Sequence, residues 1–176
     1  MTARSKFAIA ALLAVAAAPA MPALAGRVLL SGCRQGECAW LRVARVESVR
    51  ANAHGELRRL VGRRGTSRYG DGDPPRAYGA RVRIDWERRD RSDYAFCSRE
   101  RPAYAFPSDG GGYIIHYLDL FDLAGYQTAS ATMYMRICHG RGFNPGNAVP
   151  LRRLGYRPGT RSEQIEDARP ASLAEF

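Results

Sequence analysis

Apolar and charged positions alternate without a break from Arg81 to Glu87: Val82, Ile84 and Trp86 fall on one side, Arg81, Arg83, Asp85 and Glu87 on the other. A period of two belongs to a strand with one buried and one wet face. The polar run Arg88 to Asp93 then predicts a reversal, with Tyr94 to Ser98 as the antiparallel partner. Upstream, Trp40 to Val49 reads as a strand in which Leu41 and Val43 keep phase and Val46 loses it, as a bulge near Ala44 and Arg45 would produce. Asn52, Ala53, His54 and Gly55 make a turn, and Glu56 to Arg64 forms the returning strand of a hairpin. Gly65 to Gly79, which holds Gly70, Gly72, Pro74 and Pro75, predicts an exposed loop.

Downstream, Arg101-Pro102 breaks the chain and Ala103 to Phe106 forms a short edge segment. Pro107 to Gly112 is a loop. Tyr113 to Leu120 is a strand by its Tyr and Ile content, and Asp119 to Tyr126 is a helical turn with Asp119 as its cap. From Thr128 the period is again two: Thr128, Ser130, Thr132, Tyr134 and Arg136 against Ala129, Ala131, Met133, Met135 and Ile137, which predicts a long strand. Beyond Gly140 the pattern dissolves into an arm rich in Gly and Pro, with a short helix at Ser162 to Ala168 and a loose tail to Phe176. The fold expected is mostly β, a small antiparallel sandwich or partly open barrel. It comprises a β-rich domain over 26–140 and an irregular basic C-terminal arm and tail over 141–176.

The first 25 residues read differently. Arg4 and Lys6 give a positive start, Phe7 to Ala18 an uncharged apolar run, and Ala23-Leu24-Ala25 a small-residue cleavage site, the pattern of an export signal. Pro19, Pro22 and Arg27 keep that run too short to span a bilayer, and no later stretch is long enough. The protein is therefore expected outside the cytoplasm, periplasmic or extracellular. Leu30-Ser31-Gly32-Cys33 is a competing signal of lipobox type that would acylate and anchor Cys33, although Arg27 interrupts its apolar approach.

Compartment changes what the four cysteines mean. In an oxidising milieu they predict two disulfides, most simply Cys33 with Cys38 and Cys97 with Cys138. A four-thiolate metal site or a redox pair is the alternative, but the spacings match neither.

Charge adds a second feature. The chain carries 27 basic and 17 acidic residues, for a net charge of +10. Arg50 to Arg68 holds six arginines against Glu56 alone, and Arg136 to Arg161 six more with no acid, whereas the arginines from Arg81 to Arg101 are compensated by nearby acids. Arg58, Arg59, Arg63, Arg64, Arg152 and Arg153 are thus the candidate contacts for an anionic surface or ligand, since guanidinium is bidentate toward phosphate and carboxylate. The leading expectation is a non-enzymatic binding module meeting an anionic envelope component. Nucleic acid is a poor fit outside the cytoplasm, and no pattern calls for a cofactor.

Catalytic chemistry has one cluster to offer. His116, Asp119 and Asp122 can pair a base with an orienting carboxylate or ligate a metal in a hydrolase. His116 is also in phase with Ile114 and Leu118, as a hydrogen-bonded sheet histidine would be, and aspartates at a strand end have an ordinary capping role. Cys138-His139 is a weaker nucleophile pair, because a disulfide consumes the thiol. Gly110 to Gly112 precedes no helix and is a loop, not a phosphate cradle. A third class, a protein inhibitor or assembly factor, would use the Cys33–Cys38 or Pro107–Gly112 loop to engage a protein partner.

Overall fold

A computed structural model describes residues 24–70, 72–79 and 81–175, so most of the expected leader lies outside the described residues. The chain is mostly β. Its elements are β1 (Val28–Arg34), β2 (Glu37–Asn52), β3 (Gly55–Arg68), β4 (Asp85–Trp86), β5 (Arg91–Cys97), β6 (Ala103–Pro107), β7 (Tyr113–Tyr117), α1 (Thr128–His139), α2 (Ala148–Arg153) and β8 (Glu163–Ala168). One antiparallel sheet runs β1-β2-β3-β5-β6-β7-β8, with β4 also on β3, and curls into an open half-barrel.

The long hairpin β2–β3 sets that curl. Asn52 Oδ1 closes its turn by accepting from the backbone N–H of His54 at 2.9 Å and of Gly55 at 3.0 Å. The pairing slips between Val43 and Arg45, which makes Ala44 the anticipated bulge, and again between Ser48 and Arg50. Each extra residue bends the strand and increases its twist, so a ribbon of this length cannot stay flat.

The strand expected at Arg81 to Glu87 is shorter and partnered differently. Val82, Ile84 and Trp86 are half-buried while Arg81, Arg83 and Asp85 are exposed, as the alternation requires, yet only Asp85 and Trp86 join the ladder. Both β4 and β5 pair with β3, end to end along one edge, instead of with each other. β3 allows this because it continues to Arg68, through residues expected in a loop. Gly65 permits the close approach: a Cβ there would lie 2.6 Å from Asp85 O and Ile84 Cγ2. β6 is likewise no edge segment; it lies between β5 and β7 with Ala103, Tyr104 and Ala105 buried.

The largest correction is α1. The expected strand from Thr128 to Ile137 is an α-helix lying in the concave trough of the sheet, and of its twelve residues only Ala129 is exposed. A helix buried almost all round shows no polar stripe, so alternation along it carries no information. Gly140, left-handed at φ 64°, ends the helix, and Arg58 Nη1 donates to Ile137 O at 3.0 Å.

In the arm the short helix is at α2, started by Asn147, whereas the expected helix at Ser162 to Ala168 is β8, whose Ile165 faces Ile115 across the ladder. The tail is held too. A 3-10 turn at Pro170–Ala174 buries Leu173 and Ala174. Two apolar clusters result. α1 packs on the concave face against Leu29, Leu41, Val43, Leu60, Ala95 and Tyr104; the tail turn covers Leu57, Phe96, Ala103, Ile115 and Tyr117 on the other. Both expected disulfides are present, Cys33–Cys38 joining β1 to β2 and Cys97–Cys138 joining β5 to the end of α1.

Candidate functional site

The concave face is not wholly filled. Near the start of α1 a cleft of about 540 Å3 opens between the sheet and the helix. Cross-strand register explains its floor. Leu41 is opposite Arg64, Thr66 opposite Asp85, Leu60 opposite Asp93 and Tyr104 opposite His116, so these side chains share one face. Leu41, Arg64, Asp93, Tyr104, Phe106 and His116 line the floor, and Tyr126, Ala129, Ser130 and Met133 form the roof.

Two polar networks are set into these walls. In the first, Arg64 Nη2 pairs with Asp93 Oδ1 at 2.5 Å, and the Tyr104 hydroxyl donates to Asp93 Oδ2. The Asp93 side chain is 4% exposed, so this carboxylate depends on those partners for the solvation it has lost. Burial works most strongly against the Arg64 cation, but the charge and hydrogen bond of Asp93, with Tyr104 and Glu87, together outweigh it and Arg64 holds its proton more firmly than usual. Burial, reinforced by Asp93, pushes the Tyr104 hydroxyl well above its ordinary range, so it stays a donor.

The second network centres on His116, which is 3% exposed. Its Nδ1 lies 2.8 Å from Ser130 Oγ and its Nε2 2.9 Å from Gln164 Oε1. The Gln164 amide donates to Glu166, which leaves its carbonyl oxygen facing the ring. Nε2 must then carry the proton and Nδ1 must accept from Ser130. Burial lowers the histidine's proton affinity, partly offset by Gln164, and keeps the ring neutral. Phe106 and Tyr126 meet it edge to face at 5.2 and 5.3 Å and fix its plane.

The remaining sequence candidates are placed apart from this cluster. Asp119 is buried in a capping role, Oδ1 accepting from Phe121 N at 3.0 Å and Oδ2 from Gly159 N at 2.7 Å. Asp122 is exposed, and no group of three metal-ligating side chains occurs among the described residues. Arg58 pairs with Glu56, Arg59 with Glu47 and Arg63 with Asp90, so with Arg64 all four candidate arginines on β3 are engaged. Arg152 lies over the Phe121 ring at 5.3 Å, and Arg153 is exposed on α2.

Sequence reading missed Asp93, Tyr104, Ser130 and Gln164. Tyr104 carried a usable signal, a hydroxyl inside the apolar segment Ala103 to Pro107, whereas Asp93 ends the polar run that begins at Arg88 and did not stand out. Ser130 carried none once its segment was read as β. No family model matches this chain, and neither a curated protein nor a solved structure is significantly similar to it.

Proposed function

We propose that this protein is an exported ligand-binding module whose seat is the cleft under α1. The observation that carries the reading is a recess of about 540 Å3 whose buried polar groups already satisfy one another. Small-molecule sites span roughly 300–1,000 Å3 and combine apolar walls with a few fixed polar groups. Because the networks are complete without a ligand, the occupant needs an apolar body more than a matching charge. Export rests on the N-terminal pattern and is supported by the two disulfides. Intact mass of protein purified from its own cells tests it, with cleavage after Ala25 expected.

The seat is tested with N-phenyl-1-naphthylamine, a neutral apolar fluorophore. One saturable site is expected, and Ala129→Trp, which places an indole at the roof from an exposed position, is expected to remove it. Binding unaffected by that substitution would refute the assignment.

A second reading follows from the arm. Six arginines from Arg136 to Arg161 meet no acid within their segment, and among the described residues only Arg161 of these six is in an ion pair, with Glu163. Arg141, Arg153 and Arg157 are exposed and would meet an anionic envelope surface. Retention on vesicles containing phosphatidylglycerol should then fall steeply with salt and be lost in Arg141→Gln/Arg153→Gln/Arg157→Gln. Retention that persists in that variant removes this surface from consideration.

A further inference from the structure

Resting on the cleft as ligand seat, we infer that Ser130, His116 and Gln164 make it an acyl-transfer site acting on small carboxylic esters with an apolar acyl chain. Three features of the cleft support this chemistry. Ser130 and His116 both line the cleft, so a bound molecule meets them. The hydroxyl is 2.8 Å from Nδ1, and its proton points at that nitrogen because Nε2 carries the ring's own. The base is in turn oriented by a third group, an amide oxygen, as in cysteine proteases of the papain type.

Surroundings suit the chemistry. Ser130 is in the first turn of α1, where the positive end of the helix favours developing negative charge on oxygen. Arg64 adds a fixed cation to the same cleft. Phe106 and Tyr126 clamp the imidazole, and Tyr126, 54% exposed, stands at the boundary with water.

The step is a displacement at carbon. Ser130 Oγ bonds to the ester carbonyl carbon while its proton passes to His116 Nδ1; the carbon–alkoxide bond then breaks, and the alkoxide leaves with the proton from Nδ1. Water attacks the resulting Ser130 ester, giving its proton to Nδ1, and that proton returns to Ser130 as the carboxylic acid departs. Ser130 and His116 are catalytic residues here and Gln164 is a positioning residue.

The test is labelling and turnover on the full protein. A fluorophosphonate should add once, with the adduct on Ser130 by peptide mapping, and p-nitrophenyl butyrate should be hydrolysed. Ser130→Ala should abolish the adduct and cut hydrolysis about a hundredfold or more. Gln164 is exposed on β8, and circular dichroism of each variant checks that the fold is kept. Gln164→Leu should lower kcat about tenfold or more with KM unchanged. Gln164→Glu, made together with Glu166→Gln so that no second carboxylate faces it, should restore it and move the acid limb of the pH profile upward, an effect a packing role would not give. Absence of labelling, or labelling spread over several serines, overturns the inference. If naphthylamine still binds in that case, the ligand seat survives and only the chemistry fails; if it does not bind either, both fail.

Discussion

Asp93 is the residue on which the cleft floor depends. It sits on β5, ties Arg64 of β3 to Tyr104 of β6, and has almost no water of its own. Removing a partner therefore strands a buried carboxylate, which costs more than the lost contact. Arg64→Met should destabilise by about 3 kcal/mol in urea unfolding, the low end for a buried pair because Arg64 keeps 28% of its side-chain exposure. Tyr104→Phe should cost about 1–3 kcal/mol, since Arg64 still neutralises the charge. His139 makes the complementary case. Tyr134 donates to Ser98 O, so Tyr156 donates to Tyr134 and His139 Nε2–H donates to Tyr156. Burial, then Arg141, Arg58 and Arg99, lowers the His139 pKa to about 4. Above its unfolded value near 6.5 the ring is neutral in both states. As pH falls from there towards 4 the unfolded chain takes up the proton first, and stability is lost. Melting temperature should decline over that window, and decline less in His139→Gln, which keeps a donor for Tyr156. A part of the slope will remain, because His116 is shifted the same way.

Among the elements, the two disulfides differ in what they constrain. Cys97–Cys138 spans 41 residues and Cys33–Cys38 spans five. Loop-closure entropy assigns them about 4 and about 2 kcal/mol respectively. Replacing each pair by serine and measuring denaturant midpoints should reproduce that order. Element identity was legible where one face of the chain met water. β2, its bulge at Ala44 and the hairpin turn could be read because Leu41 and Val43 face the core while Arg42 and Ala44 do not. α1 could not, because Ser130, Met133, Tyr134, Met135 and Ile137 are all buried and leave no contrast from which to take a period. The pairing of β4 was hidden for another reason. Nothing local says that a strand as long as β3 will share one edge between two neighbours, and it is the absent side chain of Gly65 that lets β4 in. Gly65→Ala should displace Ile84 and Trp86 and cost about 1–3 kcal/mol by thermal unfolding.

At the level of the whole molecule, one curled sheet carries apolar cover on both faces, α1 within and the tail turn outside. That arrangement explains why the site was less legible than the fold. His116, Ser130 and Gln164 are separated by 14 and 48 positions, and only the return of β8 to β7 and the seating of α1 bring them together. Arginine richness pointed elsewhere. Net charge along a segment does not record which acids other strands will supply, and Glu47, Asp90 and Asp93 engage arginines 12, 27 and 29 positions away.

The two ends of α1 are fastened by different means. At Cys138 a sulfur bond fixes the helix to β5, while next to the cleft it is the buried Gln127 that anchors it, through its amide to Tyr117 O at 2.9 Å and its carbonyl to the Ser162 hydroxyl at 3.0 Å. Denaturant dissolves hydrogen bonds and leaves the crosslink intact. The helix should therefore lift like a drawbridge, hinged at its far end, and the cleft should empty its guest before the barrel wall gives way.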